Sequence, residues 1–487
     1  MELVQNNLKT YSLACWLVVI LNPTFTGPVY ASNQNLPSLG DPMSALVSSA
    51  QERKLGQGFL RALRNQAPIL DDPIIQDYLE HLTYKLVSNS QLDDRRLDLI
   101  IIDSPTLNAF AVPGGIIGIH DGLFKYAETE QELAAILAHE IAHLSQRHYA
   151  RGVEAQQKSS MLTMAGVLTS IIVMTTVGGE AGTALLSTVQ GVSASDQLRH
   201  SRAREAEADR IGINTLIAAK MNPRAMAYMF EQLEKTTRYK SNSMPEFLRT
   251  HPVTQSRITD AYNQTAKYPH KDYPLNIDFQ IMKARAKAIN ARSPGEVIPY
   301  FLAGIKNSDL VRQHANIYGL ILALTEEGKF QEAKVKLAEL LEIYPNKISI
   351  RIAEANFYMR LQQFKRAEAL LNDALANNPG NYPLTMMLAE VLLKTSPKHS
   401  QDLLTKLATE RQNDAFVWYH LAEAAGLAKD IPTVHWSRAE YFVLTGNLDR
   451  AIQQLSYVAP LVPNNFQQES KIRTRIKEIE AIKKEER

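Results

Sequence analysis

Two histidines set four positions apart, His139 and His143, bracket the short motif AHEIAHL at Ala138–Leu144. On a helix of about 3.6 residues per turn, such a pair projects from one face. The two imidazoles can therefore hold one Zn²⁺, each through a nitrogen at roughly 2.0–2.1 Å. Glu140 is turned about 100° round the same helix, which places it to act on water at the metal rather than to ligate. Two ligands and a base make an incomplete hydrolytic centre. A third ligand, leaving one position open, has to come from elsewhere in the chain.

The neighbouring sequence is suited to holding this helix in place. Thr129 fits the N-cap and Glu132, three residues on, completes a capping-box pattern, while Leu133, Ala134, Ile136, Leu137 and Ile141 supply an apolar face. Upstream, Ser44–Asn65 and Ile74–Asn89 carry apolar residues at helical spacing. The period then changes. Leu97–Ile102 (LDLIII) predicts a strand, and Asn108–His120 (NAFAVPGGIIGIH) predicts strand, Gly-Gly turn, strand. A small sheet thus precedes the metal helix, and an edge strand beside the metal can pair with an extended substrate backbone.

Downstream, Ser201–Asp209 (SRAREAEAD) predicts the opening of a second helix that runs on through Ile213, Leu216 and Ile217. Glu205 and Asp209 share one face, and Glu207 points roughly 160° away from Asp209. Glu205 as ligand would complete a His₂Glu site, and Asp209 could then accept a hydrogen bond from a ligand histidine and fix its tautomer. Spacing alone leaves a solvated helix face as an equal alternative. His251, in Thr250-His251-Pro252-Val253, reads on its own as a turn residue or as one more ligand.

These four stretches in order — NAFAVPGG, HEIAH, SRAREAEAD and THPVTQSRI — resemble the M48 family of zinc metallopeptidases over roughly residues 44–265. The resemblance implies a zincin-like (gluzincin) domain with one Zn²⁺ on His139, His143 and Glu205, Glu140 as catalytic base, and Asp209 supporting the site. It also implies a metal role for His251. As a fourth ligand it would plug the site until a partner or client moved its loop, and its rival role is that of an oxyanion donor. Membrane-embedded members of the family carry spanning helices between the two metal motifs. Here that interval holds Met161–Val177, 17 residues without a charge, and a second apolar run, Ala181–Val192. Three readings compete for it: a helical hairpin over the active site, a surface leaning on a membrane or an unfolded client, and insertion, for which it is marginal.

The other features of the chain concern where it works and with what. Fifty-three basic against 51 acidic side chains in 487 residues give a net charge of +2, so no nucleic-acid footprint is visible. Residues 1–31 read as a signal peptide: Lys9, the apolar run Leu13–Leu21, and Val29-Tyr30-Ala31 as cleavage site. Cys15, the single cysteine, lies inside it, so the mature chain would be free of thiols and suited to an oxidising compartment, the periplasm.

From about residue 266 no chemistry is visible and a repeat takes over. Gly328, Phe330, Ala333 and Pro345 recur 34 residues later as Phe364, Ala367 and Pro379, and again as Gly446, Leu448, Ala451 and Pro463. A 34-residue period with small residues where two helices cross is the tetratricopeptide signature. About four repeats are expected, the copy at Leu388–Lys429 degenerate because Pro397 and Pro432 interrupt it, with Glu469–Arg487 as a solvated terminal helix. The fold expected is mainly α with a small β-sheet: a metallopeptidase domain at 32–265, a helical connector at 266–310, and an α-solenoid at 311–487. A leader, a soluble domain of this family and terminal repeats together resemble the family's periplasmic branch. That implies quality control of outer-membrane β-barrel proteins, with unfolded or stalled barrels as clients and docking to the barrel-assembly machinery through the repeats. The rival class is a repeat-based chaperone or adaptor whose metal site is structural.

Overall fold

The computed structural model describes residues 48–154, 160–176, 194–239, 245–463 and 465–486. The expected leader and the run Ala181–Val192 lie outside the described residues.

The first half is built on a three-stranded sheet, β1 (Asp98–Ile102), β2 (Ala109–Val112) and β3 (Ile116–His120), in the order β1-β3-β2. β1 runs parallel to β3, pairing Ile100 with Gly118, and β2 runs antiparallel, pairing Phe110 with Gly118. Side chains alternate across a strand, so each strand feeds two layers. Ile101, Ala109, Ile117 and Ile119 face a core shared with α2 (Pro73–Val87) and α4 (Glu130–Ser145). Ile100, Ile102, Phe110, Val112 and Ile116 face the other way, onto Phe59, Leu60 and Leu63 of α1 (Ser49–Gln66). The short helix α3 (Leu123–Tyr126) links β3 to α4.

Leu168 and Ile172 of α6 (Ser160–Thr176) belong to that second layer, so this helix packs with α1 on the face of the sheet away from α4. The described half of the apolar interval is therefore a sheet-covering helix. Among the described residues no helix is long and apolar enough to cross a membrane.

α4 is buried on all sides from Leu133 to Ala142, which marks it as the central helix of this half. Thr129 caps it, its side chain accepting from Glu132 N at 3.3 Å, but the Glu132 carboxylate reaches back to Glu128 N rather than to the cap itself. After α5 (His148–Glu154) and α6, α7 (Ala194–Ala218) crosses α4. It begins earlier than the sequence suggests, so the SRAREAEAD motif sits inside a helix instead of opening one. α8 (Ala225–Tyr239), α9 (Glu246–Thr250) and α10 (Gln255–Thr265) complete this half.

Helix pairs then stack one on the next: α11 (Ile277–Ile289) with α12 (Pro294–Gly304), α13 (Leu310–Glu326) with α14 (Phe330–Ile343), α15 (Ile348–Arg360) with α16 (Phe364–Asn377), α17 (Tyr382–Thr395) with α18 (Pro397–Glu410), α19 (Ala415–Leu427) with α20 (Ile431–Leu444), and α21 (Leu448–Val458) with α22 (Phe466–Glu485). Ala333, Ala367 and Ala451, at equivalent repeat positions, are each fully buried where two helices meet. The segment expected to be degenerate is regular. Pro397 and Pro432 fall in the first turn of α18 and α20, where a missing N–H costs no helical hydrogen bond. The terminal helix is also less solvated than its composition suggests: Ile472 and Ile479 are buried against α21, and Glu486 pairs with Arg61 of α1. Further ties join the halves, among them Arg411 of the α18–α19 turn with Glu80 of α2, and half-buried Arg285 of α11 with Asp72 and Tyr318.

Candidate metal centre

Three elements converge on one point. α4 brings His139 and His143, α7 brings Glu205, and the turn after α9 brings His251. The approach of α7 to α4 is close because Gly212 stands at the crossing, where a Cβ would come within 3.2 Å of the backbone at Ala138–His139. One ligand-capable atom from each of the four residues lies within 4.8 Å of all the others. His139 Nε2 is 3.0 Å from His143 Nε2 and 3.3 Å from His251 Nδ1, and His251 Nδ1 is 3.1 Å from both Glu205 oxygens. Glu205 lies 3.4 Å from His139 Nε2 and 3.5 Å from His143 Nε2. Donors held tetrahedrally at roughly 2.0–2.1 Å from one zinc are about 3.3–3.4 Å apart, so the donor set fits such an ion.

The electrostatics favour a cation there. Burial opposes a charged His139, but Asp209 and Glu205 outweigh it and push its pKa up to about 10. Burial likewise opposes ionisation of Glu205, yet His251, His139 and His143 hold its pKa well below the usual carboxylate range. His143 is driven down by burial, so it presents a neutral ring.

Glu140 points beside the cluster, 3.7 Å from His251 Nε2, with burial raising its pKa. The backbone of Ala111 on β2 hydrogen-bonds to its carboxylate, while Oε1, the oxygen that faces His251 Nε2, is buried with no hydrogen bond among the described residues. That atom is free to take a proton from water. β2 forms the free edge of the sheet here. His120 N donates to Asn108 O across the sheet, so the backbone groups of Ala109 and Ala111 point outward, away from β3. Phe247 N of α9 already donates to Leu107 O at one end of that edge.

Asp209 sits behind His139, its Oδ1 2.9 Å from Nδ1 in an ion-pair contact that is not aligned as a hydrogen bond. Two residues outside the sequence reading complete this side. Arg257 donates twice to Asp209 at 2.7 Å, lies 3.1 Å from Glu205, and donates to Pro252 O next to His251. In the sequence it is visible only as part of THPVTQSRI, with no chemical role of its own. His148, a few residues after the metal motif, contacts His143, and Glu207 contacts His148. Glu207 faces away from Asp209 as helical spacing requires, and that direction leads to His148.

The profile of peptidase family M48 matches residues 73–265, and a tetratricopeptide-repeat profile matches residues 324–384. The chain is 31% identical over 478 residues to the "Beta-barrel assembly-enhancing protease" of Escherichia coli (strain K12), an alignment covering 97% of this chain and 96% of that protein. It is 31% identical over 439 residues to the "Putative beta-barrel assembly-enhancing protease" of Vibrio cholerae, covering 89% and 90%. A shorter match, 26% over 230 residues, links it to the "Mitochondrial metalloendopeptidase OMA1" of Arabidopsis thaliana, covering 47% of this chain and 44% of that protein. The chain belongs to peptidase family M48, as a metallopeptidase whose catalytic half is followed by a helical-repeat half.

Proposed function

We propose that the chain is an exported zinc metalloendopeptidase, working in the periplasm on outer-membrane β-barrel proteins that are unfolded or stalled in assembly. The observation that carries the reading is the four-donor cluster of His139, His143, Glu205 and His251 with the unpartnered Glu140 oxygen beside it. His139, His143 and Glu205 would hold Zn²⁺. When bound, the ion supplies Lewis-acid chemistry, polarising a scissile carbonyl and making water nucleophilic near neutral pH. Glu140 takes the water's proton on Oε1 during attack and returns it to the leaving amine. The charge of Asp209, 2.9 Å from Nδ1 of His139, favours the proton on that nitrogen, and Arg257 keeps Asp209 in place. The outward backbone groups of Ala109 and the Ala111 carbonyl align an extended client strand by backbone pairing. The kind of client and the work in barrel assembly come from the full-length likeness to the enterobacterial and Vibrio proteases, and contact with assembly machinery is assigned to the repeats.

His251 supports a second feature of the same reading. Its Nδ1 stands among the donors, and its ring lies against Phe247 at 4.8 Å between centroids. A fourth protein ligand closes the coordination set, so His251 is assigned as a plug that holds the resting enzyme inactive. The adaptor reading, with a structural metal, draws on the same closed set.

One experiment separates these readings. Zinc content and cleavage of a denatured β-barrel protein are measured for the wild type and for Glu140→Gln and His251→Ala forms. The peptidase reading expects Glu140→Gln to keep zinc and lose cleavage, and His251→Ala to cleave faster. Equal cleavage by the His251→Ala form with and without Glu140→Gln would leave only the adaptor, and cleavage by the wild type that is lost in His251→Ala would make His251 an oxyanion donor instead of a plug.

A further inference from the structure

His139 and His143 sit one turn apart on α4, yet they are supported differently. His139 meets a carboxylate directly, through Asp209. His143 meets another imidazole: its Nδ1 is 3.0 Å from Nδ1 of His148. The far nitrogen of His148, Nε2, is 3.0 Å from Glu207 Oε2, and Arg151 donates to the same oxygen at 3.1 Å.

Local backbone geometry puts His148 there. α4 ends at Ser145, and Arg147 takes a left-handed φ of 48°, a conformation unfavourable for a non-glycine residue. The turn reverses the chain, so that the first residue of α5 falls back onto His143. Arg147 is anchored in this conformation by its contact with Glu52 of α1, at 3.0 Å. The His148 side chain is 3% exposed.

With both rings neutral, only one arrangement of protons satisfies the whole row. Two facing Nδ1 atoms at hydrogen-bond distance require one N–H and one lone pair. Glu207 Oε2 is an acceptor in this row, because the Arg151 guanidinium donates to the same oxygen that faces His148 Nε2. His148 must therefore carry its proton on Nε2. Its Nδ1 is then a lone pair, which His143 Nδ1–H must fill. With its proton fixed on Nδ1, His143 turns a bare Nε2 toward His139, Glu205 and His251. The reverse arrangement would aim a bare His148 nitrogen at a carboxylate and put a proton on the ligating atom of His143.

We propose that His148, oriented by Glu207 and Arg151, is a positioning residue that sets the tautomer of His143 and thereby presents its Nε2 to the metal. This rests on the assignment of His143 as a ligand made above. Partners of this kind typically change metal affinity 10–100-fold.

The test measures Zn²⁺ affinity of the full chain by competition with a chromophoric chelator, with thermal melting of the metal-free protein alongside. Glu207→Gln keeps shape but can donate, which favours the wrong His148 tautomer. His148→Phe keeps volume but removes the acceptor, and His148→Asn restores an acceptor near the position of Nδ1. The proposal expects Glu207→Gln and His148→Phe to bind zinc about 10–100-fold more weakly. His148→Asn is expected to recover most of that loss, and metal-free melting should move little. Unchanged zinc affinity in Glu207→Gln and His148→Phe overturns it. So does a His148→Asn form as weak as His148→Phe, because the role would then be one of shape. A His143→Ala control tells the two assignments apart. If His143→Ala loses zinc while the other variants keep it, the relay alone fails; if His143→Ala keeps zinc, the ligand assignment fails and the relay with it.

Discussion

The two halves of this molecule bury different things. The peptidase half places charge in its interior: His139, Glu140, Glu205, Asp209 and Arg257 are all nearly inaccessible to solvent. The repeat half buries mostly alanine, leucine and aromatic side chains, and its buried polar groups are chiefly neutral, such as Thr325, Ser349, Ser400 and Ser437. Buried charge is sensitive to single atoms, because an unmatched group keeps its full desolvation cost. Apolar packing responds in proportion to volume. Mutations should therefore act as switches in one half and as graded adjustments in the other.

The sharpest contrast is expected at Glu140. Glu140→Gln changes one atom, and the donors proposed above for the metal are other residues. Cleavage should fall by about 10²–10⁴-fold or more with zinc content and melting unchanged, checked by steady-state proteolysis and elemental analysis. Retained cleavage would remove the basis for a switch-like half. Arg257→Gln comes next. It leaves Asp209, Glu205 and Pro252 O short of a partner, and breaking such a buried pair costs roughly 3–5 kcal/mol. Denaturant unfolding reads this, and a loss below about 1 kcal/mol would mean that water replaces the guanidinium.

What can be read in the sequence follows the same division. The relation of His139, Glu140 and His143 is set by helical periodicity, and that of Glu205 and Asp209 likewise, so each group can be placed without knowing the fold. The short apolar runs in LDLIII and AFAV, and the 34-residue repeat, are local patterns of the same kind. Contacts that depend on how helices cross cannot be read. Arg257 reaches Asp209 across 48 positions, and Glu207 reaches His148 across 59. His251 is open on its own between a turn residue and a ligand, and family likeness tips it toward the metal. The regularity of Leu388–Lys429 stays hidden while proline is weighed as a breaker, because what matters is the helical position that Pro397 and Pro432 take. The seating of the terminal helix stays hidden for a different reason: two isoleucines among many charges are enough to hold it.

In the repeat half, Gly319 of α13 tests the graded response. A Cβ there would stand 2.3 Å from the Phe301 ring of α12, inside a packed core. Gly319→Val should cost about 1–3 kcal/mol as the ring is displaced. Cleavage per folded molecule should stay at the wild-type level, measured as specific activity after unfolded protein is removed. A fall in specific activity would show that repeat packing reaches the metal centre and that the halves are not independent.

The most gradual effect, spread over about two pH units, is expected at the seam between the halves, where a buried acid meets the first solenoid helix. Asp121, just after β3, is 1% exposed. It accepts from Ser104 N at 3.0 Å and from Asn290 Nδ2, at the end of α11, at 2.5 Å. Burial raises its pKa from 3.8 to about 6, the two hydrogen bonds only partly opposing it. The folded state therefore holds a proton that the unfolded chain has released between about pH 4 and 6. Stability from this group is complete below the unfolded pKa, falls as pH rises through the folded value, and is lost above it. The slope for one proton is at most about 1.4 kcal/mol per pH unit. Asp121→Asn removes that titration and keeps a side chain that can accept from Ser104. Relative to the wild type, the variant should gain stability as pH rises from 4 to 6 and then level off, read by denaturant unfolding at several pH values. A constant difference across that window would mean that Asp121 stays ionised in the fold, and that the seam carries charge as the peptidase interior does.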